Sequence, residues 1–293
     1  MKIAFLGIGL MGGPMVSRLI DAGFALALWN RTESKLTPFA QRATLAATPE
    51  VAVSNADVVV TMLENGQVVD QVLYTSGALA ALKPGAVVID MSSISPALAQ
   101  QHHAQVVAAG GDYLDAPVSG GTRGAAAGSL SIMAGGEAQV LKRVAPLFGH
   151  LGTVTHIGPV GTGQVAKLAN QAVVGITIAA VSEALLLARQ SGADPAAVRQ
   201  ALLGGFAGSA IMQQHGERML LRDFSPGAPA RIQLKDMTMI TEAARLQGLT
   251  LPLSEQVLEQ YHSLVASGDG ELDHSALYLE LERRNAMTHG DSA

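Results

Sequence analysis

The sequence predicts a doubly wound α/β domain on a parallel sheet, followed by an all-α domain. Three observations carry this. An apolar run at the very start, Lys2 to Leu6, passes directly into Gly7-Ile8-Gly9-Leu10-Met11-Gly12 and then into a helical pattern. Short β-branched runs then alternate with longer amphipathic segments, the pattern of parallel strands covered by helices. A glycine-rich stretch, Gly158 to Gly163, ends that alternation, and every periodic segment after it has helical spacing.

Taken in order, the expected strands are Ile3 to Leu6, Ala25 to Trp29, Val58 to Thr61, Val87 to Asp90, Tyr113 to Asp115, Leu130 to Ala134 and Val154 to Ile157. The helices between them are Gly12 to Ala22, Pro49 to Ser54 with Thr48 as N-cap, Pro96 to Ala109, and Ala138 to Leu147. Val165 to Gln190 is helix-forming and apolar on nearly every face, broken only by Gly175, so it reads as a buried spine able to bridge two domains. Further helices are expected at Pro195 to Leu203, Ser209 to Leu221, Leu234 to Leu246, Leu253 to Ser267 and Ser275 to Asn285, with a frayed tail over 287–293. The expected domains are 1–162 and 163–293, the latter opening with the interdomain helix 163–191.

Composition narrows the chemistry. With 293 residues, 48% of them hydrophobic, the chain has ample material for more than one core. The lack of cysteine excludes disulfides, thiolate metal sites and a cysteine nucleophile. A net charge of -5 offers no basic footprint for nucleic acid or an anionic membrane. The uncharged stretch Leu168 to Val181 is shorter than the roughly 20 residues a bilayer requires, so no transmembrane helix is expected. The chain enters a strand-like run at once, so no secretory signal is expected and the cytoplasm is the expected location. His102 and His103 fall in a helix and read as surface residues; no histidine shows ligand spacing with carboxylates, and no metal is expected.

Between strand and helix, the glycines of residues 7–12 have a physical purpose. Gly7 permits the turn, Gly9 lets the backbone approach a pyrophosphate, and Gly12 allows close packing, while Leu10 and Met11 lead into a helix N-terminus that faces the anion. This spacing and context point to a dinucleotide. At the end of the second strand, where a carboxylate would hold the ribose of NAD, stand Asn30, Arg31 and Thr32. Arg31 suits a 2′-phosphate, so NADP(H) is favoured and NAD(H) is the second choice; a solvated turn arginine would look the same. In Asp115-Ala116-Pro117-Val118-Ser119-Gly120-Gly121, the hydroxyl of Ser119 and the amides of Gly120 and Gly121 can form an anion nest, although ordinary turns use the same residues. Lys167, Asn170 and Gln171 stand at i, i+3 and i+4 and share one face of an apolar helix. An ammonium near a helix N-terminus, partly desolvated, should release its proton more readily than a free lysine and suits carbonyl reduction. A lysine snorkelling at a helix start is the alternative.

At these residues the sequence resembles the β-hydroxyacid dehydrogenase family, which includes 3-hydroxyisobutyrate dehydrogenases and tartronate semialdehyde reductases. The resemblance spans nearly the whole chain and rests on FLGIGLMGGPM (5–15), DAPVSGG (115–121), GSLSIMAGG (128–136), GTGQVAKLANQ (161–171) and LKDM (234–237). The later runs GGFAGSAIMQQHGERM (204–219) and LDHSAL (272–277) look most like the tartronate semialdehyde reductase branch.

The resemblance implies a Rossmann domain, a long interdomain helix, an all-α C-terminal domain and an active site in the cleft between the domains. It also implies Lys167 as the catalytic residue, with Asn170 orienting it or the substrate; together with the Arg31 reading, the expected reaction is NADPH-dependent reduction of a small 3-oxoacid, tartronate semialdehyde to glycerate being the favoured pair. By the same resemblance Ser119, Gly120 and Gly121 bind the substrate carboxylate, Met62, Leu63 and Ser93 line the nicotinamide half, and Lys235 reaches the cofactor. A dimer or tetramer is implied as well. Three departures stand out: Leu63-Glu64 where many members have Leu-Pro, Asn170-Gln171 where many have Asn-Asn, and Phe224 to Pro229 where Pro-Gly-Phe is common. Other 3-hydroxyacid dehydrogenases, glyoxylate or succinic semialdehyde reductases, and a cofactor-binding scaffold without turnover are the rival readings.

Overall fold

Five parallel strand pairings set the frame of a computed structural model that describes residues 1–286; the tail expected to fray, 287–293, lies outside them. In chain order the first part contains β1 (Lys2–Leu6), α1 (Gly12–Asp21), β2 (Ala25–Trp29), β3 (Thr44–Leu45), α2 (Pro49–Val53) and β4 (Val58–Thr61). It continues with α3 (Gly66–Val69), β5 (Val87–Asp90), α4 (Pro96–Ala108), β6 (Asp112–Asp115), β7 (Val118–Ser119), α5 (Gly121–Ala127), β8 (Leu130–Gly135), α6 (Ala138–Phe148) and β9 (Gly152–Gly158). Helices follow: α7 (Thr162–Gln190), α8 (Pro195–Leu203), α9 (Ala210–Leu221), α10 (Ala230–Leu246), α11 (Pro252–Leu264) and α12 (Leu277–Arg284).

The sheet order is β3-β2-β1-β4-β5-β6-β8-β7, with β9 paired to β8. From β3 to β6 all pairs are parallel, and the reversal of order beside β1 creates the switch point where such sheets bind ligands. Beyond β6 the sheet departs from a purely parallel one. β6 and β7 both pair antiparallel with β8, interrupted by Ala116-Pro117, where proline cannot donate to the ladder. The short pieces β3 and β7 went unread in the sequence because two residues carry no periodicity. Thr48 caps α2 as expected, its hydroxyl accepting from the Val51 amide at 3.3 Å.

Two apolar clusters cover the two faces of this sheet. One contains Phe5, Met15, Leu28, Leu114 and Phe148, the other Leu6, Val59, Val88, Leu73 and Tyr113. Alternate residues of β1 therefore point to opposite cores, as the two-residue period of a strand requires.

The chain divides into two units, Met1–Lys167 and Leu168–Ala293. The second has its own core of Ile178, Val181, Leu185, Met212, Met237, Tyr261 and Leu277. By length and composition alone α7 meets the requirement for crossing a bilayer, which the stretch Leu168 to Val181 does not. Its Ile178, Val181 and Leu185 are enclosed in the second core. Gly175 does not interrupt this helix. A Cβ there would stand 2.9 Å from both Gln233 Nε2 and Met237 Sδ, so glycine lets α10 lie against α7.

His102 corrects an expectation. It is fully buried, with Nε2 2.8 Å from Asp70 Oδ1, because the α4 face that carries it packs inward beside Tyr74 and Tyr113.

Candidate active site

The loop after β1 is tight inward and open outward. Gly7 has φ +109°, and a Cβ there would stand 2.4 Å from Met62 O; a Cβ on Gly12 would stand 2.0 Å from Gly7 O. Nothing lies within 4 Å of the corresponding point at Gly9. No side chain caps the N-terminus of α1; the Gly13 amide is taken by Gly9 O at 3.0 Å, and the helix end presents the positive end of its dipole to an anion. Leu10 is exposed and Met11 half-buried at this entrance. This combination fits a dinucleotide pyrophosphate: side chains are excluded where the turn closes, and space is left where the phosphates would approach.

Asn30 has a defined structural use. Its Oδ1 accepts from the Ile8 amide at 2.8 Å and its Nδ2 donates to Thr32 O at 2.9 Å, tying the end of β2 to the glycine loop. Arg31 and Thr32 are exposed beside it, and no carboxylate occupies the end of β2.

The ends of β4 and β5 are joined by buried polar groups. Asp90 Oδ1 accepts from Thr61 Oγ1 at 2.8 Å and from the Ser92 amide at 2.9 Å, and Ser92 Oγ accepts from the Leu63 amide at 3.0 Å. These bonds shape the half-buried backbone of Met62, Leu63 and Ser93. Glu64 is exposed, and Asn65 caps α3 by accepting from the Val68 amide at 3.0 Å. The missing proline is thus compatible with an ordered turn.

Lys167 lies on the second turn of α7 and is 8% exposed. Its Nζ donates to Val118 O at 2.7 Å, immediately before Ser119. Gly120 (φ +130°) and Gly121 (φ +61°) both adopt conformations that favour glycine, which turns the chain from β7 into α5. The ammonium of Lys167 and the Ser119-Gly120-Gly121 turn are therefore held together within the first unit.

Two functional candidates were missed in the sequence, Asp115 and Gln164. The Asp115 carboxylate accepts from the amides of Gly161 and Gln164, each at 2.8 Å, and so caps α7. Burial pushes its carboxyl up to about 6 against the opposing effect of these amides. Gln164 accepts from the Ile94 amide at 3.1 Å and donates to Ser92 O at 2.9 Å. Both lie within quoted motifs, but their contacts are not legible there, since every partner lies at least 46 positions away.

In the second unit, Asn170 Nδ2 donates to Gln171 Oε1 at 2.8 Å, and Gln171 Nε2 donates to Asp236 Oδ2 at 2.6 Å. Lys235 pairs with Asp236 at 3.2 Å. The polar face of α7 thus meets a polar patch of α10. Phe224 is buried in the second core and is not displayed to solvent.

Although no histidine shows ligand spacing in the sequence, the fold brings potential ligand atoms of His215, Asp273 and His274 within 4.8 Å of one another. Asp273 accepts from the Gly227, Ala228 and Ser275 amides and pairs with Arg218 at 3.5 Å, while the two histidine Nε2 atoms are 3.3 Å apart. The carboxylate is committed to pinning the 227–228 turn against the 273–276 turn.

The fold and the glycine loop define a dinucleotide-binding protein of Rossmann type. Residues 2–158 match the model for the NAD-binding domain of 6-phosphogluconate dehydrogenase, and residues 161–281 match the NAD-binding model of NADP-dependent 3-hydroxyisobutyrate dehydrogenase. A 2-hydroxy-3-oxopropionate reductase of Escherichia coli is 43% identical over 289 residues, covering 96% of this chain and 97% of its own. An NAD-dependent L-serine dehydrogenase of Pseudomonas aeruginosa is 34% identical, covering 94% and 96%. The solved Mycobacterium tuberculosis 3-hydroxyisobutyrate dehydrogenase with L-serine superposes with a TM-score of 0.86 at 32% identity, covering 96% of this chain and 98% of that one. This chain belongs to the 3-hydroxyisobutyrate dehydrogenase-like family of NAD(P)-dependent 3-hydroxyacid dehydrogenases.

Proposed function

We propose that this enzyme reduces tartronate semialdehyde (2-hydroxy-3-oxopropionate) to glycerate with NADPH. When bound, the reduced cofactor supplies the hydride. Lys167 Nζ gives a proton to the oxygen of the aldehyde as it becomes an alkoxide, and in the reverse direction its neutral amine takes that proton back. The Ser119 hydroxyl and the amides of Gly120 and Gly121 hold the substrate carboxylate. Met62, Leu63 and Ser93 flank the nicotinamide end. Asn170 orients Lys167 or the substrate, and Lys235 contacts the cofactor.

The observation that carries this reading is the buried Lys167 ammonium on Val118 O at 2.7 Å, one residue before the proposed carboxylate seat. A cation there shortens the distance over which a proton must move once the acid is seated. The choice of substrate is supported by the 43% identical E. coli reductase and by the runs at 204–219 and 272–277. The choice of NADPH is supported by exposed Arg31 and the lack of a carboxylate at the end of β2. The NAD-dependent serine dehydrogenase among the relatives favours a second reading, oxidation of a 3-hydroxyacid with NAD. A homo-oligomer belongs to the proposal, supported by exposed Val173 and Leu187 on one face of α7.

Steady-state rates with tartronate semialdehyde, methylmalonate semialdehyde, glyoxylate and succinate semialdehyde, each with NADPH and NADH, test the reading. The highest kcat/KM is expected for tartronate semialdehyde with NADPH. Higher efficiency with another aldehyde would overturn the substrate, and higher efficiency with NADH throughout would overturn the assignment of Arg31.

A further inference from the structure

We infer that Gln164 and Asp115 are positioning residues for the reaction: together they clamp the first turn of α7 and thereby set where the Lys167 ammonium stands. This inference rests on the proposed role of Lys167 as proton donor.

The geometry supports it from two sides. Gln164 precedes Lys167 by three residues, so both side chains leave the same face of α7. Its carboxamide is 1% exposed and bonds to Ser92 O and the Ile94 amide, on either side of Ser93. A single buried side chain therefore joins the loop proposed to flank the nicotinamide to the helix proposed to deliver the proton. Asp115 approaches the same turn from β6, with its two oxygens on the Gly161 and Gln164 amides. Asp115 is also three residues before Val118, whose carbonyl receives Lys167 Nζ.

The surrounding glycines leave this clamp no slack. A Cβ on Gly135 would meet Asp115 Oδ1 at 2.5 Å and Gly163 N at 2.7 Å. A Cβ on Gly163 would meet Met133 O at 2.4 Å and Asp115 O at 2.6 Å. Backbone of α7 thus lies directly on β6 and β8, where only glycine fits. A capping carboxylate in such close packing fixes the helix start along its axis, and Gln164 fixes its rotation toward Ser93. Lys167, one turn further, inherits both constraints. Displacements of about 1 Å at a reacting group can reduce rates by about 100-fold, so the clamp has a kinetic consequence.

Gln164→Met removes both hydrogen bonds at similar volume, and Asp115→Asn removes the anionic cap. For Gln164→Met, kcat for aldehyde reduction is expected to fall at least about tenfold, with KM for NADPH and aldehyde within about threefold of wild type. The pH profile of kcat should shift on the limb that Lys167→Ala abolishes. In the Lys167→Ala background, Gln164→Met should lower kcat no further, because a residue acting through Lys167 has nothing left to position. An additive loss in the double variant, or a wild-type kcat and pH profile in folded Gln164→Met, overturns the inference. If Asp115→Asn fails to fold, Gln164→Met and the double variant still decide. Near-normal turnover of Lys167→Ala would sink the proton-donor reading and the clamp with it. Loss of turnover in Lys167→Ala with none in Gln164→Met would overturn the clamp alone.

Discussion

Single atoms decide what each glycine of the first loop contributes. Gly9 borders open space, whereas a Cβ on Gly12 would lie 2.0 Å from Gly7 O. Gly9→Ala is therefore expected to leave the melting temperature within about 1 °C and to weaken binding of the nicotinamide dinucleotide at least about tenfold, because the methyl group would occupy the approach of the pyrophosphate. Gly12→Ala should lower both stability, by about 1–3 kcal/mol, and cofactor affinity. Calorimetry and fluorescence titration of the two variants separate the effects. If Lys167 is the proposed proton donor, Lys167→Ala should lower turnover by about 100-fold or more with cofactor binding preserved; single-turnover rates at saturating reduced cofactor would reveal it. The glycines, Arg31, Ser119 and Lys167 could be proposed from the sequence because each sits in a local motif. Asp115 lay within a quoted motif, but its use as a helix cap depends on residues 161–164 folding back onto β6.

At the scale of elements, α7 depends on its start. Gly163→Ala would press a methyl group onto the carbonyls of Met133 and Asp115, neither of which can turn away as a side chain would. A loss of about 1–3 kcal/mol is expected, accompanied by reduced kcat, and urea unfolding with parallel kinetics would measure both. Most strands and helices were legible from periodicity and caps. The exceptions have local causes. β3 and β7 are two residues long, α5 is rich in glycine and alanine, and α10 starts four residues before its expected first residue, at Ala230, directly after Pro229, which follows the 227–228 turn held by Asp273. His102 was misread for a related reason: two adjacent histidines on a helix differ in burial by 100° of rotation, and only packing shows which points inward.

For the whole molecule, the two cores contain carboxylates with opposite pH responses. Asp115 in the first unit is raised to about 6 by burial, above its ordinary 3.8. A group raised on folding stabilises most below its unfolded value, and that contribution is lost as pH rises through about 6. The difference corresponds to roughly 3 kcal/mol across pH 4 to 7. Asp273 in the second unit is likewise opposed by burial, but His215, His274 and Ser275 win and hold it well below the usual range. Its contribution is present above about 3.8 and is lost as the solution becomes more acid. Chemical unfolding at pH 5 and 7 should show that Asp115→Asn reduces the gain in first-unit stability at pH 5. Asp273→Asn should leave that gain unchanged and destabilise the second unit at both pH values. An unchanged slope in Asp115→Asn would contradict the raised carboxyl.

The sequence by itself determined the strand and helix alternation, the dinucleotide loop, the lysine-bearing apolar helix and, through its motifs, the family. These are legible because they are written within a few residues of one another, in turn chemistry and periodicity. Tertiary structure alone decided that Asp115 caps α7, that Gln164 brackets Ser93, that Gly175 is a packing contact, and that His102 is buried. Each of these is a hydrogen bond or a close approach between segments distant in the chain. Their energy comes from satisfying polar groups and excluding volume after folding has brought those segments together.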